Sequence, residues 1–143
     1  MKKLGLILAL MAFSCVSYAQ SITEGTWWNE EKTSRVQFYE QGGKMYGKIV
    51  WLSEPTENGK PKVDKNNPKE ALKSKPLMGL VFLKGFEKDG EKSWEDGTIY
   101  DPRNGKTYSS EMTLVSADQL DVRGYIGISL IGRTSEFTRY KGN

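Results

Sequence analysis

The sequence predicts an all-β fold, an eight-stranded antiparallel up-and-down barrel with one long loop carrying a short helix. Hydrophobic residues recur with a period of about two rather than the helical period of about 3.6 residues. Glycine-containing turn signals separate these alternating segments at strand spacing. A meander of consecutive strands removes its exposed edges by closing on itself. At 143 residues, the chain suits one domain with a single core.

The segment 106–115 shows the alternation most clearly, because Tyr108, Ser110 and Met112 share one face while Ser109 and Glu111 share the other. Glycine in the turns accepts positive φ at little cost, which favours hairpins. These turns are Gln41-Gly42-Gly43, Asp89-Gly90 and Asn104-Gly105. The same alternation places strands at 25–30, 34–40, 44–52, 77–86, 92–100, 106–115, 119–126 and 132–140.

Residues 53–76 interrupt this pattern, because they are polar, rich in proline and too long for an ordinary hairpin loop. Asn67 suits an N-cap and Pro68 suits the first helical position, so we expect a short helix over 67–73. Two interpretations of the connection stay open. It is either a solvated excursion with one contact through Leu72 or a lid across one mouth of the barrel.

The N-terminus has the composition of a secretory signal peptide. Lys2 and Lys3 precede the apolar run Leu4 to Phe13, and Ser17-Tyr18-Ala19 offers a small-residue cleavage site. We therefore expect residues 1–19 to be a signal peptide and 20–143 to be one barrel domain in a periplasmic or secreted protein. The alternative is a lipoprotein acylated at Cys15, but the usual leucine three residues before the cysteine is missing.

The amino-acid types that the sequence lacks exclude several classes of catalytic site. The chain has no histidine, and Cys15 is its one cysteine. A Ser-His-Asp triad, a thiol nucleophile in the barrel domain and the usual nitrogen and sulfur ligands of zinc, copper and haem iron are therefore excluded. Without Lys2 and Lys3 the chain carries 19 basic against 18 acidic residues, which gives no footprint for nucleic acid. We expect no cofactor, no metal site, no nucleic-acid partner and no transmembrane segment; the oligomeric state stays open.

Gly25-Thr26-Trp27, together with arginines on the last strand, resembles the calycin arrangement of lipocalins, fatty-acid-binding proteins and avidins. The resemblance implies that Gly25 and Trp27 close the barrel floor and that Arg139 or Arg133 packs on the indole. An arginine over a tryptophan face contributes about 1 kcal/mol. We assign Gly25, Trp27 and Arg139 to barrel closure.

A second resemblance covers nearly all of the chain after residue 20. Its motifs are Gly47-Lys-Ile-Val-Trp51, Pro76-Leu-Met-Gly79, Gly97-Thr-Ile-Tyr100-Asp101-Pro102, Val122-Arg-Gly-Tyr125 and Gly132-Arg-Thr134. They resemble a family of small exported bacterial proteins, the domain of unknown function 2147. The resemblance implies a calycin (lipocalin)-like barrel with an internal apolar cavity, and it implies no activity.

Candidate ligand contacts follow from the alternation. If Trp27 points inward, Asn29 also points inward and Trp28 points outward. Ile49 and Trp51 then share one face. The candidate ligand-binding residues are Asn29, Ile49, Trp51, Tyr108, Ser110, Met112 and Arg133. The function this favours is that of an exported, non-enzymatic binding protein for a small, partly apolar or amphiphilic molecule.

Two alternatives belong to other functional classes. A filled barrel would indicate an envelope-associated protein-interaction module, and the volume of the interior distinguishes it from a binding protein. A hydrolase would use a pair among the carboxylates Glu95, Asp96, Asp101 and Glu111. Ser129 lacks the histidine and the spacing of a nucleophile elbow. The oxygen-rich run Asp64 to Asn67 lacks the glycine and distal glutamate of a calcium loop.

Overall fold

The computed structural model describes residues 21–142, so the predicted signal peptide, including Cys15, lies outside the described residues. Within them, eight antiparallel strands form a closed barrel in the order β1-β10-β9-β8-β7-β6-β3-β2, and β4 and β5 form a separate small hairpin. The strands are β1 (Trp27–Trp28), β2 (Ser34–Gln41), β3 (Lys44–Leu52), β4 (Thr56–Glu57), β5 (Lys60–Pro61), β6 (Val81–Lys88), β7 (Ser93–Asp101), β8 (Lys106–Ser116), β9 (Gln119–Tyr125) and β10 (Gly132–Arg139). The described residues include no helix that is long and apolar enough to cross a bilayer.

The predicted barrel is confirmed, and each of its eight predicted strands has its counterpart. The largest differences lie in the first strand, where only two residues pair, and in the fourth, which begins at Val81 rather than at 77. The long connection, here called the mouth loop (residues 53–80), holds a single 3-10 turn at Glu70–Leu72 instead of a helix over 67–73. Asn67 does not cap this turn. Its Oδ1 accepts a hydrogen bond from the Lys69 N–H (2.9 Å), which closes a local turn before the helical residues begin.

Because the strands alternate in direction, the connections collect at two ends. The floor holds the turns at 42–43, 89–92 and 117–118 and the N-terminal segment 21–26. The mouth holds the loops at 29–33, 53–80, 102–105 and 126–131. The mouth loop alone accounts for most of the chain that lies outside the barrel strands at this end.

The floor is closed by Trp27, whose indole is fully buried. Its Nε1 donates a hydrogen bond to the Ile22 carbonyl oxygen (2.9 Å), and the Arg139 guanidinium carbon lies 4.3 Å from the centre of the ring. Arg139 also donates to the carbonyl oxygens of Ala117 (2.9 Å) and Glu24 (2.6 Å). Of the two arginines considered from the sequence, Arg139 packs on the indole, and Arg133 lies at the opposite end of β10.

Strand glycines near the floor make room for aromatic rings. A Cβ added to Gly97 would overlap the ring of Phe86, and one added to Gly47 would lie 2.9 Å from Leu83. The space left by these missing side chains is therefore filled by the core. The packed lower half of the barrel is built from Trp27, Phe38, Met45, Leu83, Phe86, Trp94, Met112 and Leu120.

A β-bulge changes the inward face of β3. Arg35 pairs with Trp51, but the next residue, Val36, pairs with Ile49, so Val50 is the extra residue. The extra residue places Ile49 inside the barrel and Trp51 outside it, which corrects the expectation that the two share a face. Trp51 packs edge-on against Trp28 (5.4 Å between ring centres), and the Arg35 guanidinium carbon lies 4.7 Å from the Trp51 ring.

Candidate functional site: a cavity at the barrel mouth

The upper half of the barrel encloses a cavity of about 980 Å³ that opens at the mouth. Its deep wall is apolar and comes from four strands and the start of β6, because inward positions on each strand carry aliphatic or aromatic side chains. These residues are Ile49, Phe82, Ile99, Val122 and Phe137. The barrel is thus a cup with a packed base and a hollow top.

Few polar side chains interrupt this wall. Ser34 and Ser135 contribute hydroxyl groups, and the Tyr108 hydroxyl oxygen accepts a hydrogen bond from Asn104 Nδ2 (3.1 Å). Ser110 lies deeper and is fully buried, where it donates to the Arg123 carbonyl oxygen (2.8 Å). A polar ligand group placed deep in the cup would therefore find few partners, and an unpaired buried polar group costs about 1–3 kcal/mol.

The rim of the cup is charged, and each cation there has an acidic neighbour. Arg133 Nη2 lies 2.9 Å from Glu30, Arg103 Nε lies 3.0 Å from Asp101, and Lys62 Nζ lies 3.5 Å from Glu54. All three pairs are at least partly exposed, so each contributes at most about 1 kcal/mol. The rim offers both signs of charge to a ligand head group.

Asp101 stays ionised at the rim. Burial acts to raise the pKa of its carboxyl group, but hydrogen bonds from the side chain and the backbone N–H of Arg103 outweigh burial. The net result is a pKa below the ordinary value for aspartate. At neutral pH this carboxylate is an acceptor, as part of a fixed ion pair with Arg103.

Hydrogen bonds hold the mouth loop against the end of β7 and the turn between β7 and β8. Buried Asp64 accepts hydrogen bonds from the Tyr100 hydroxyl (2.7 Å) and from Asn67 Nδ2 (2.8 Å). Asn66 Nδ2 donates to the carbonyl oxygens of Pro102 (3.0 Å) and Arg103 (3.1 Å). Burial, reinforced by the hydrogen bond to Asp64, raises the pKa of Tyr100 from 10.0 to about 12. These contacts, and not the exposed Leu72, hold the loop beside the cavity, and its residues Ser53, Glu54, Lys62 and Leu77 line the cavity.

Four of the seven residues proposed as ligand contacts line the cavity: Asn29, Ile49, Tyr108 and Arg133. Asn29 also shapes its own loop, because its Oδ1 accepts hydrogen bonds from the N–H groups of Thr33 (2.8 Å) and Ser34 (3.0 Å). Ser110 and Met112 lie on the inward face but below the cavity, within the packed half. Trp51 lies on the outer face, because of the bulge at Val50.

The sequence interpretation missed much of the wall. Val122 lies in a predicted strand with clear alternation, and Phe137 is on the same strand face as Arg133, so alternation alone could have found both. Phe82 is harder to predict, because it and its neighbour Leu83 are both buried. The register between β3 and β6 shifts at this point, so that alternation is lost.

The carboxylates considered for hydrolysis do not converge on the cavity. Asp101 lies at the rim in its pair with Arg103, whereas Glu95 and Asp96 are exposed towards the floor end of β7. Glu111 lies on the outer face of β8, opposite Arg123. Ser129 lies in the loop between β9 and β10, where its carbonyl oxygen accepts a hydrogen bond from Arg123 Nε (2.7 Å).

A solved structure, protein HP1028 from the human pathogen Helicobacter pylori, is similar over most of both chains. The two share 26% sequence identity with a TM-score of 0.75, over 85% of this chain and 84% of that chain. HP1028 is described as belonging to the lipocalin family. No curated protein is significantly similar in sequence.

The family described as "uncharacterized protein conserved in bacteria" (DUF2147) matches residues 25–139, from the floor glycine to the floor arginine. The matched range includes every strand of the barrel. The chain therefore belongs to the DUF2147 family, and its fold is a lipocalin-like barrel.

Proposed function

We propose that this protein is an exported, non-enzymatic binding protein that takes a small amphiphilic molecule into the upper half of its barrel, apolar part first. The observation that supports this most is the cavity of about 980 Å³ with an apolar deep wall and a charged rim. Pockets for small molecules have volumes of about 300–1,000 Å³ and are lined mostly by apolar side chains. A lipocalin-like fold is in general suited to binding small molecules.

The orientation of the ligand follows from where the polar groups lie. A hydrocarbon chain against Ile99, Val122 and Phe137 gains about 25 cal/mol for each Å² of apolar surface removed from water. A head group at the rim keeps contact with water and with the charged side chains of Arg103 and Arg133. The reverse orientation would bury the head group among side chains that offer it few partners.

The alternatives are less well supported. A protein-interaction module with a filled barrel does not agree with a hollow upper half. A carboxylate hydrolase needs two carboxyl groups facing one bond at about 5–10 Å from each other, and Asp101, Glu95 and Glu111 face different parts of the surface. Among residues 21–142, the carboxylates considered from the sequence therefore do not form such a pair at the cavity.

Export is part of the proposal and depends on the sequence of residues 1–19. Cleavage after Ala19 would leave Gln20 as the first residue, directly before the described barrel. Export would place the cavity in the periplasm or outside the cell, where amphiphiles from the envelope are available.

Native mass spectrometry of the protein purified from its own host tests the ligand and the export together. We expect a non-covalent adduct with the mass of an amphiphile, released on collisional activation, on a chain that begins at Gln20. A chain that retains residues 1–19 would contradict export. The absence of an adduct, together with no binding to a panel of fatty acids, fatty alcohols and lysophospholipids, would contradict the binding function.

A further inference from the structure

We infer that the loop 126–131 between β9 and β10, here called the apolar tip, docks the barrel mouth onto a phospholipid surface. Ile126, Ile128, Leu130 and Ile131 are 70%, 57%, 85% and 66% exposed. The remaining residues of the tip, Gly127 and Ser129, carry no charge. A folded domain rarely leaves four large aliphatic side chains of one short loop in water unless they bind something.

The composition of the tip favours hydrocarbon over a protein partner. Binding sites for proteins concentrate their energy in Trp, Tyr and Arg, whereas the tip has only aliphatic side chains and one serine. Aliphatic side chains gain by entering the interface between lipid head groups and acyl chains without needing a shaped partner surface. The surface that the tip suits is therefore a bilayer and not a protein.

Part of the backbone of the tip is hydrogen-bonded within the protein, which lowers the cost of moving it from water to lipid. The Ile126 N–H donates to the Ile131 carbonyl oxygen (3.3 Å), and the Ile131 N–H donates to the Ile128 carbonyl oxygen (3.1 Å). Arg123 supports the loop from below through its hydrogen bonds to the Ser129 carbonyl oxygen (2.7 Å) and to Thr134 Oγ1 (2.9 Å). The tip is thus an apolar loop that projects from the barrel and is supported by hydrogen bonds at its base.

The tip continues into the cavity. Ile126 and Ile131 are exposed and also line the cup, whereas Ile128 and Leu130 lie outside the lining. An apolar path therefore runs from the outer end of the tip to the deep wall. At the base of the tip, the Arg133 side chain is 70% exposed beside Glu30, at a level where phosphate groups would lie if the tip were inserted. This geometry would let an amphiphile pass between the bilayer and the cup, a role that rests on the proposed binding function.

Flotation with vesicles tests the docking. Protein purified from its own host is mixed with vesicles of phosphatidylcholine and phosphatidylglycerol in equal parts, and the bound fraction is measured. The variant Ile128→Ser/Leu130→Ser removes two tip side chains that do not line the cavity, and Val115→Ser removes an exposed valine at the floor end of β8. We expect the wild type and Val115→Ser to bind equally and the double variant to bind at least about tenfold more weakly.

Three results would overturn the docking: no wild-type binding to vesicles, equal binding by the double variant, or a wild-type dimer that the double substitution dissociates. Binding of dodecanoate without vesicles, measured on the same proteins, separates this inference from the proposed function. Wild type that binds dodecanoate but not vesicles would overturn only the docking. Wild type that binds vesicles through the tip but binds no dodecanoate would support the docking and contradict the cavity function. The double variant should bind free dodecanoate as wild type does.

Discussion

Trp27 is the residue on which the closed end of the barrel most depends. Its ring is fully buried, meets Phe38 edge-on at 6.5 Å between ring centres, and is covered by Arg139. Trp27→Ala would leave a large cavity and a buried guanidinium without its aromatic partner. We expect the substitution to lower the free energy of unfolding by about 3–5 kcal/mol, measured by chemical denaturation. An unchanged denaturation midpoint would contradict this role for Trp27.

Tyr100 makes the contact between the mouth loop and the barrel dependent on pH. Its pKa is raised to about 12 in the folded protein, so the folded state holds the phenol proton more tightly than the unfolded chain, where the pKa is near 10.0. The stability from this hydroxyl is therefore fully present below about pH 10 and is lost as the pH rises towards about 12.

Comparison with Tyr100→Phe isolates this effect, because the substitution removes only the hydroxyl group that donates to Asp64. We expect the wild type to be more stable at neutral pH and its advantage to shrink above about pH 10. Denaturation midpoints measured across this range would show the change. An advantage that stays constant or grows with pH would show that Tyr100 is not held as a neutral donor to Asp64.

Arg133 is the rim residue that can prefer an anionic head group. Its guanidinium is exposed and paired with Glu30, so its net attraction for a carboxylate should be modest. We expect Arg133→Gln to weaken dodecanoate binding by at most about fivefold and to leave dodecanol binding unchanged. Calorimetric titration with the matched acid and alcohol measures both. Equal losses for the two ligands would mean that Arg133 acts on the shape of the mouth and not on ligand charge.

At the scale of the elements, the positions of the strands could be predicted from the sequence. The side of the sheet on which Trp51 lies could not. Alternation with a period of two, together with Gly-containing turns, was enough to locate every barrel strand, since both are local properties of the chain. The bulge at Val50 has no local signal of this kind, because valine is an ordinary strand residue. Trp51 was therefore expected inside the barrel, when it packs with Trp28 and Arg35 on the outside.

The position of the mouth loop could not be predicted from the sequence either. The sequence left open whether it was a solvated excursion or a lid, because its anchors are separated by more than thirty residues in the chain. Asp64 and Asn66 have their partners on β7 and in the turn that follows it. Contacts this distant in sequence leave no periodic pattern that could predict them.

Gly105 lies against the mouth loop at the point where Asn66 is anchored. Its φ is +73°, and an added Cβ would overlap the Asn66 carbonyl oxygen. Gly59, in the turn between β4 and β5, has a similar φ of +75° with nothing within 4 Å of an added Cβ. Both Gly→Ala variants should lose about 1–2 kcal/mol from the left-handed backbone, and only Gly105→Ala should also displace the loop.

Hydrogen exchange of loop amides distinguishes the two variants. The N–H groups of Asn67 and Leu77 donate within the loop to Asp64 and Lys62 and should exchange slowly in the wild type and in Gly59→Ala. In Gly105→Ala we expect their exchange to accelerate by about tenfold or more. Equal exchange in both variants would mean that the close approach at Gly105 does not hold the loop.

At the scale of the whole molecule, the barrel divides into a packed floor half and a hollow mouth half. Away from the register shifts, the alternation shows which side chains face inward but not how far along the axis the packing extends. Ser110 and Met112 are inward as predicted and yet lie below the cavity. Gly97 is a second example, since a missing side chain does not indicate what occupies the space it leaves, and the Phe86 ring fills that space. Only the three-dimensional packing distinguishes these cases.

The central claim is that the hollow half of the barrel holds the ligand, and filling the hollow tests it most directly. Ser135 lines the cavity on β10, so Ser135→Trp would place an indole against the deep wall. Thr98→Trp adds the same ring to the exposed outer face of β7 and serves as the matched control. Denaturation midpoints of both variants verify that the barrel remains folded.

The measurement is calorimetric titration of the three proteins with dodecanoate. We predict one binding site in the wild type and in Thr98→Trp, and an affinity at least about tenfold weaker in Ser135→Trp, because the added indole occupies the volume of the acyl chain. Equal affinity in all three folded proteins, or no binding by the wild type, would contradict the claim that the cup is the binding site.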